Sequence, residues 1–182
     1  MVDPRRAGSL AGVVGGLVFV FSYAPSLGSV VTVAAGTTAI TLALAVLWGH
    51  YVRRATLGPL HQPPRAALGV YLGCVAAELA AIAVGSRVLT ELDRTALRPA
   101  LIAAVVGLHF LPFAWAFGEP MFRSLGSTLF LLGCGGLVIG AVGVPHAADS
   151  AAVLSGLVML SFVALYARGR FARSVATAPT PV

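Results

Sequence analysis

At 182 residues the chain is the length of one domain, 58% hydrophobic and only 10% charged, with a mean hydropathy of +0.94. That balance lies far outside the soluble globular norm and excludes a fold with a water-facing polar surface. The net charge of +6 comes from Arg alone, for there is no Lys; the arginines end apolar runs, where they set membrane topology, and form no basic face with aromatic platforms for a nucleic acid.

A bilayer core of about 30 Å takes about 20 helical residues to cross. Six segments qualify, at about Ser9–Leu27, Ser29–Val52, Ala66–Ser86, Pro99–Gly118, Phe122–Val144 and Ser150–Ala167. The first follows Arg5 and Arg6 and resembles a signal peptide up to Ser22-Tyr23-Ala24. Pro25 directly after that point argues against cleavage, so the segment reads as a retained helix. It carries a small-residue stripe, Gly8, Gly12 and Gly16, of the kind that lets helix backbones approach in lipid. In the second, Thr37, Thr38 and Thr41 are expected to bond back to their own helix, as are Ser155 and Ser161 in the sixth. Trp48, Tyr51, Trp115 and Tyr166 lie towards one end of their spans, as an aromatic belt would place them. His50, His61 and His146 are expected at the membrane surfaces.

A Pro-rich connector with Pro59, Pro63 and Pro64 leads to the third span, whose stripe of Gly69, Gly73, Ala77, Ala81 and Gly85 predicts the packing centre of the bundle. Gly136 with Gly140 marks the fifth. Cys74 and Cys134 fall inside apolar runs and read as small hydrophobes, not as a disulfide. Residues 1–173 form a single transmembrane domain, and the Ser/Thr/Ala/Pro-rich tail 174–182 reads as disordered.

Counting arginines sets the orientation. One side collects Arg5, Arg6, Arg53, Arg54, Arg65, Arg123, Arg168, Arg170 and Arg173; the other collects only Arg87, Arg94 and Arg98, beside Glu91 and Asp93. The positive-inside rule then places both termini in the cytoplasm, and the missing Lys and Asn suit a GC-rich bacterial genome, hence the bacterial cytoplasmic membrane. The fold class expected is an all-α integral membrane bundle of six helices in three hairpins. A shift of 120 positions lays Gly15-Gly16-Leu17-Val18 on Gly135-Gly136-Leu137-Val138 and Pro25 on Pro145. This relates hairpins one and three as parallel repeats.

Two residues break the apolar pattern. Glu78 and His109 lie near the middle of the third and fourth spans, where an ionisable side chain is costly and is by default a functional-site hypothesis. Hairpin geometry puts them at similar depth, close enough for direct contact. Burial penalises both charges while their attraction favours the ion pair, so one proton shifts the balance. Pro112 leaves the Leu108 carbonyl without its helical donor and predicts a kink beside His109. Glu78, His109 and Pro112 would then frame a small polar pocket facing the bundle interior, extended by Tyr71, Cys74 and Ser86. The competing reading is interhelical glue. A metal reading also exists, because Cys74 and Glu78 share a helix face and His109 can join them. Haem lacks an axial partner for His109. No Ser-His-Asp set, HExxH, CxxC, Walker or dinucleotide motif occurs, so neither an enzyme nor a cofactor has sequence support.

The segment Gly107-Leu108-His109-Phe110-Leu111-Pro112-Phe113 resembles one found in small, uncharacterised bacterial multi-spanning proteins. The size and hairpin pattern are also similar in architecture to the HdeD-like six-helix proteins. The resemblance implies only that the His-Phe-x-Pro segment is a family feature. Taken together, the residues predict a small transporter or permease-like protein binding a proton or small polar solute at Glu78 and His109. The alternative is a membrane scaffold or assembly subunit in which the pair is structural. The lipid bilayer is the expected partner, with homo-oligomers formed through small-residue helix faces.

Overall fold

The computed structural model describes residues 4–53 and 67–171, all helix and turn, with no strand among them. The connector bearing Arg54, His61 and Arg65 and the tail from Arg173 lie outside the described residues. Six helices follow one another: α1 (Pro4–Tyr23), α2 (Ser29–Leu47), α3 (Ala67–Glu91), α4 (Arg98–Ala116), α5 (Pro120–Ala141) and α6 (Ala147–Ala167). A 3-10 turn, Ala24–Leu27, extends α1, and a π-helical turn, Trp48–Val52, extends α2. All six are long and apolar enough to cross a membrane. Large apolar side chains such as Val30, Leu131 and Val142 point outward. Such a surface would drive aggregation in water, and it matches the hydrocarbon of a bilayer.

Three helices end in the same backbone device. After α5, Val144 N–H donates to Ile139 O and Gly143 N–H to Gly140 O; after α6, Arg170 and Gly169 repeat this on Leu165 and Tyr166. Gly143 and Gly169 take the left-handed conformation these caps require, at φ of 93° and 76°; their lack of a Cβ makes that cheap. α3 closes likewise, but with Asp93 at φ 54°. It runs on through Arg87 to Glu91, past the expected end at Ser86, because polar residues at an interface do not stop a helix until a cap does.

The packing centre is α6, not α3. Of the most apolar stretch of each helix, 61% of residues are buried in α6 and 6% in α3. α6 touches α1, α2, α4 and α5, whereas α3 packs against α4 and the turn before it. Gly69 and Gly73 have no atom within 4 Å of where a Cβ would stand, so the stripe expected to centre the bundle lies open. Among its glycines the close approach is at the far end, Gly85 against Leu101. The other stripes do pack, apart from Gly8, which has no atom within 4 Å of its Cβ position. Gly16 faces Gly156 O, 3.0 Å from a virtual Cβ, and Gly12 faces Val163. The tightest seam joins α4 and α5, where Gly107 meets Gly126 and the Phe130 backbone, and Gly133 meets Ala104. Within each expected hairpin the two helices, α1–α2, α3–α4 and α5–α6, contact each other, but the α4–α5 and α1–α6 seams are the most extensive.

Thr37, Thr38, Thr41 and Ser161 each donate to a carbonyl one turn back, as expected. Ser155 does not: its Oγ is buried with no partner. Tyr166 also departs from the expected belt. It is 5% exposed and donates to Glu119 Oε1 at 3.2 Å, whereas Trp48, Tyr51 and Trp115 are exposed.

Candidate functional site

The seam between α3 and α4 is built from its turn. Arg94 N–H donates to Leu89 O at 2.7 Å and Asp93 N–H to Thr90 O at 3.1 Å, which closes α3. The Arg98 guanidinium then bonds Thr90 Oγ1, and Arg94 Nη1 donates to Ala141 O at 3.2 Å. These ties fix where α4 starts relative to the last turn of α3. At about 1.5 Å per residue, Glu78 lies about 20 Å and His109 about 17 Å from that end. The register therefore delivers them to the same depth.

They meet. Glu78 Oε2 stands 3.3 Å from His109 Nδ1, with side-chain exposures of 16% and 14%. The approach is one of charge to ring nitrogen, without the alignment of a linear N–H···O bond. The rest of the imidazole is held by rings. Its face stacks on Phe110 at 4.3 Å and 29°, and Phe113 meets it edge to face at 5.0 Å and 79°. Phe113 in turn stacks against Tyr71 of α3 at 5.5 Å. Phe122 of α5 lies parallel to Phe110 at 5.7 Å and edge-on to Phe113 at 6.0 Å. The site is thus one carboxylate, one imidazole and a wall of phenyl rings.

The residues expected around the pair divide. Tyr71 joins it through Phe113, with its ring 42% exposed. Cys74, a free thiol, sits half-buried one turn from Glu78 on the seam face of α3, and Ser86 lies half-buried two turns beyond. Pro112 does not belong. α4 runs through it as one continuous helix, and both Pro112 and Leu108 are exposed, so the backbone the proline opens faces away from the interior. The pair itself lies in a peripheral seam and not in a central pocket, because among the described elements α3 packs mainly on α4 and the turn before it. Among the described residues no three His, Cys, Asp or Glu side chains gather closely enough to hold a metal ion.

Phe110 and Phe113 were readable as neighbours of His109, one residue and one helical turn away, but their role was not; periodicity cannot distinguish a ring packed on an imidazole from a ring in lipid. A second polar group went unforeseen. His50, expected at the surface, is 1% exposed in the π-helical turn, with Tyr166 edge-on at 6.4 Å. No family model, no curated protein and no solved structure matches this chain.

Proposed function

We propose that this chain is a small permease-like transporter of the bacterial cytoplasmic membrane, in which Glu78 and His109 exchange a proton or bind a polar solute. The supporting observation is the 3.3 Å approach of two ionisable groups at membrane depth. A charged residue at the centre of a span costs about 2.5–3.5 kcal/mol on insertion scales, whereas an interhelical hydrogen bond in lipid returns about 0.6 kcal/mol on average. Glue alone is a poor reason to keep both. The six helices form three hairpins with both termini cytoplasmic, an arrangement favoured by the arginine distribution.

A second reading has its own observation. α3 is attached through α4 and leaves its small-residue face open, which suits an assembly subunit or a homo-oligomer whose pair only fixes helix register. Proton flux into dye-loaded proteoliposomes separates the two. As a transporter, the protein should lose pH-dependent flux with Glu78→Gln or His109→Ala, and the double variant should be no worse than either, because residues in contact are not additive. Flux indifferent to both changes, with thermal stability accounting for every defect, would establish the assembly reading.

A further inference from the structure

The surroundings of His109 are phenyl rings and one carboxylate. A positive charge over a phenyl face is attracted by the ring quadrupole, more so when water is excluded. The imidazole has Phe110 stacked on it, Phe113 at its edge and Glu78 3.3 Å away. Rings and one carboxylate around a single position form the recognition chemistry of an organic monocation. The direction of access follows from the fold. Among the described helices α3 packs extensively only along α4, and beside the seam Leu72 and Leu79 of α3 and Leu108 and Trp115 of α4 are exposed at 58%, 63%, 52% and 70%. In a bilayer these side chains face acyl chains, so a ligand reaches the pair sideways, from lipid.

We infer that the α3–α4 seam binds a lipophilic organic monocation, which replaces the protonated His109 imidazole against Glu78. This rests on the protonation-linked reading of the pair. The charges balance as an exchange. In the proposed exchange the seam starts with Glu78 carboxylate and His109 imidazolium; the incoming cation pairs with the carboxylate, the imidazolium N–H breaks, and its proton passes to water. One positive charge stands against Glu78 before and after. The other titratable groups on this face are Tyr71 and Cys74 of α3; α5 contributes Phe122, and the neighbouring Arg123 is exposed. Tyr71 and Phe113 set the preference for a cation carrying aromatic or bulky apolar groups, since they wall the seam on one side of the pair.

The test is binding of tetraphenylphosphonium to the full chain in lipid nanodiscs, by calorimetry in buffers of different ionisation enthalpy. The expected result is one proton released per cation bound, with affinity rising about tenfold per pH unit while the site holds its proton. Glu78→Gln should abolish binding, and neutral triphenylphosphine oxide should not compete. Phe113→Leu should weaken binding about tenfold; Tyr71→Leu, on an exposed ring, should weaken it as well and keeps the test open if the first variant does not fold. Equal binding to wild type and Glu78→Gln, binding without proton release, or affinity unchanged in both ring variants would overturn the inference. Imidazole NMR of His109 separates this from the reading beneath it. A His109 titration that moves in Glu78→Gln while tetraphenylphosphonium fails to bind would remove the cation and leave the coupled pair. A titration that does not move would remove both.

Discussion

Replacing glycine by alanine at two positions tests the packing scheme most directly, because the structure assigns them opposite signs. At Gly107 a Cβ would stand 2.8 Å from Gly126 O and from the Leu129 carbonyl carbon, and nearer still to Phe130 N. Those neighbours are backbone, which cannot rotate aside. Ordinary contact begins at about 3.4 Å, so α4 and α5 would have to part by about 1 Å along a seam that also holds Gly133 against Ala104. Overpacking of this kind costs typically about 1–3 kcal/mol, and loss of close van der Waals contact in lipid adds to it, since lipid tails are as apolar as the side chains they would replace. At Gly73 no atom lies within 4 Å. There Ala should stabilise the helix by about 0.5–1 kcal/mol, through the conformational entropy that glycine loses on folding. Thermal unfolding in detergent, or steric trapping in bicelles, reads both. Comparable losses at Gly73 and Gly107 would refute the scheme and restore α3 as a packing centre.

Other consequences are as direct. Reporter fusions after Arg54, after Arg123 and at the C-terminus should report the cytoplasm, and one near Arg94 the outside; a C-terminus found outside would rule out an even number of crossings. Tyr166→Phe should cost about 1 kcal/mol, because it removes the donor to Glu119 from a buried site, whereas Tyr51→Phe, on an exposed ring, should cost nothing measurable in the same thermal melt.

The six spans and the meeting of Glu78 with His109 were legible because both depend on length and spacing alone. A run of apolar residues has to be long enough, and a short turn brings equal depths together. What was not legible depends on which face of a helix meets which neighbour. Gly69, Gly73 and Gly85 form as regular a stripe as Gly8, Gly12 and Gly16, but Gly12 and Gly16 meet α6 whereas Gly69 and Gly73 meet nothing. Binary pattern carries no help in lipid, where a buried face and a lipid-facing one are equally apolar. The same blindness hid the inward turns of Tyr166 and His50, since an aromatic residue near a span end reads as a belt whichever way it points. Pro112 misled for a related reason: its chemistry opens a backbone bond wherever it lies, but only its rotational position decides whether that opening serves a pocket or faces lipid.

The placement of the pair has a mechanical meaning. α6 is held by four neighbours and the α4–α5 seam by backbone-to-backbone approach, so that part of the bundle resists displacement by small energies. α3 is held by Gly85 on Leu101 near one end, by Tyr71 on Phe113 towards the other, and by Glu78 on His109 between them. Motions that accompany binding are drawn from the least stable parts of a structure, and α3 is that part here. Adding or removing a proton at the pair changes one of the few holds described on α3, whereas the same change in α6 would be one among many. A ligand shifts a conformational equilibrium only by its differential affinity for the two states, and a charge placed in this seam has such a difference: it meets its counter-charge when α3 is seated on α4 and loses it when α3 moves away. If the pair exchanges a proton as proposed, its protonation and the seating of α3 are linked, and the helix expected to move is the one bearing the carboxylate.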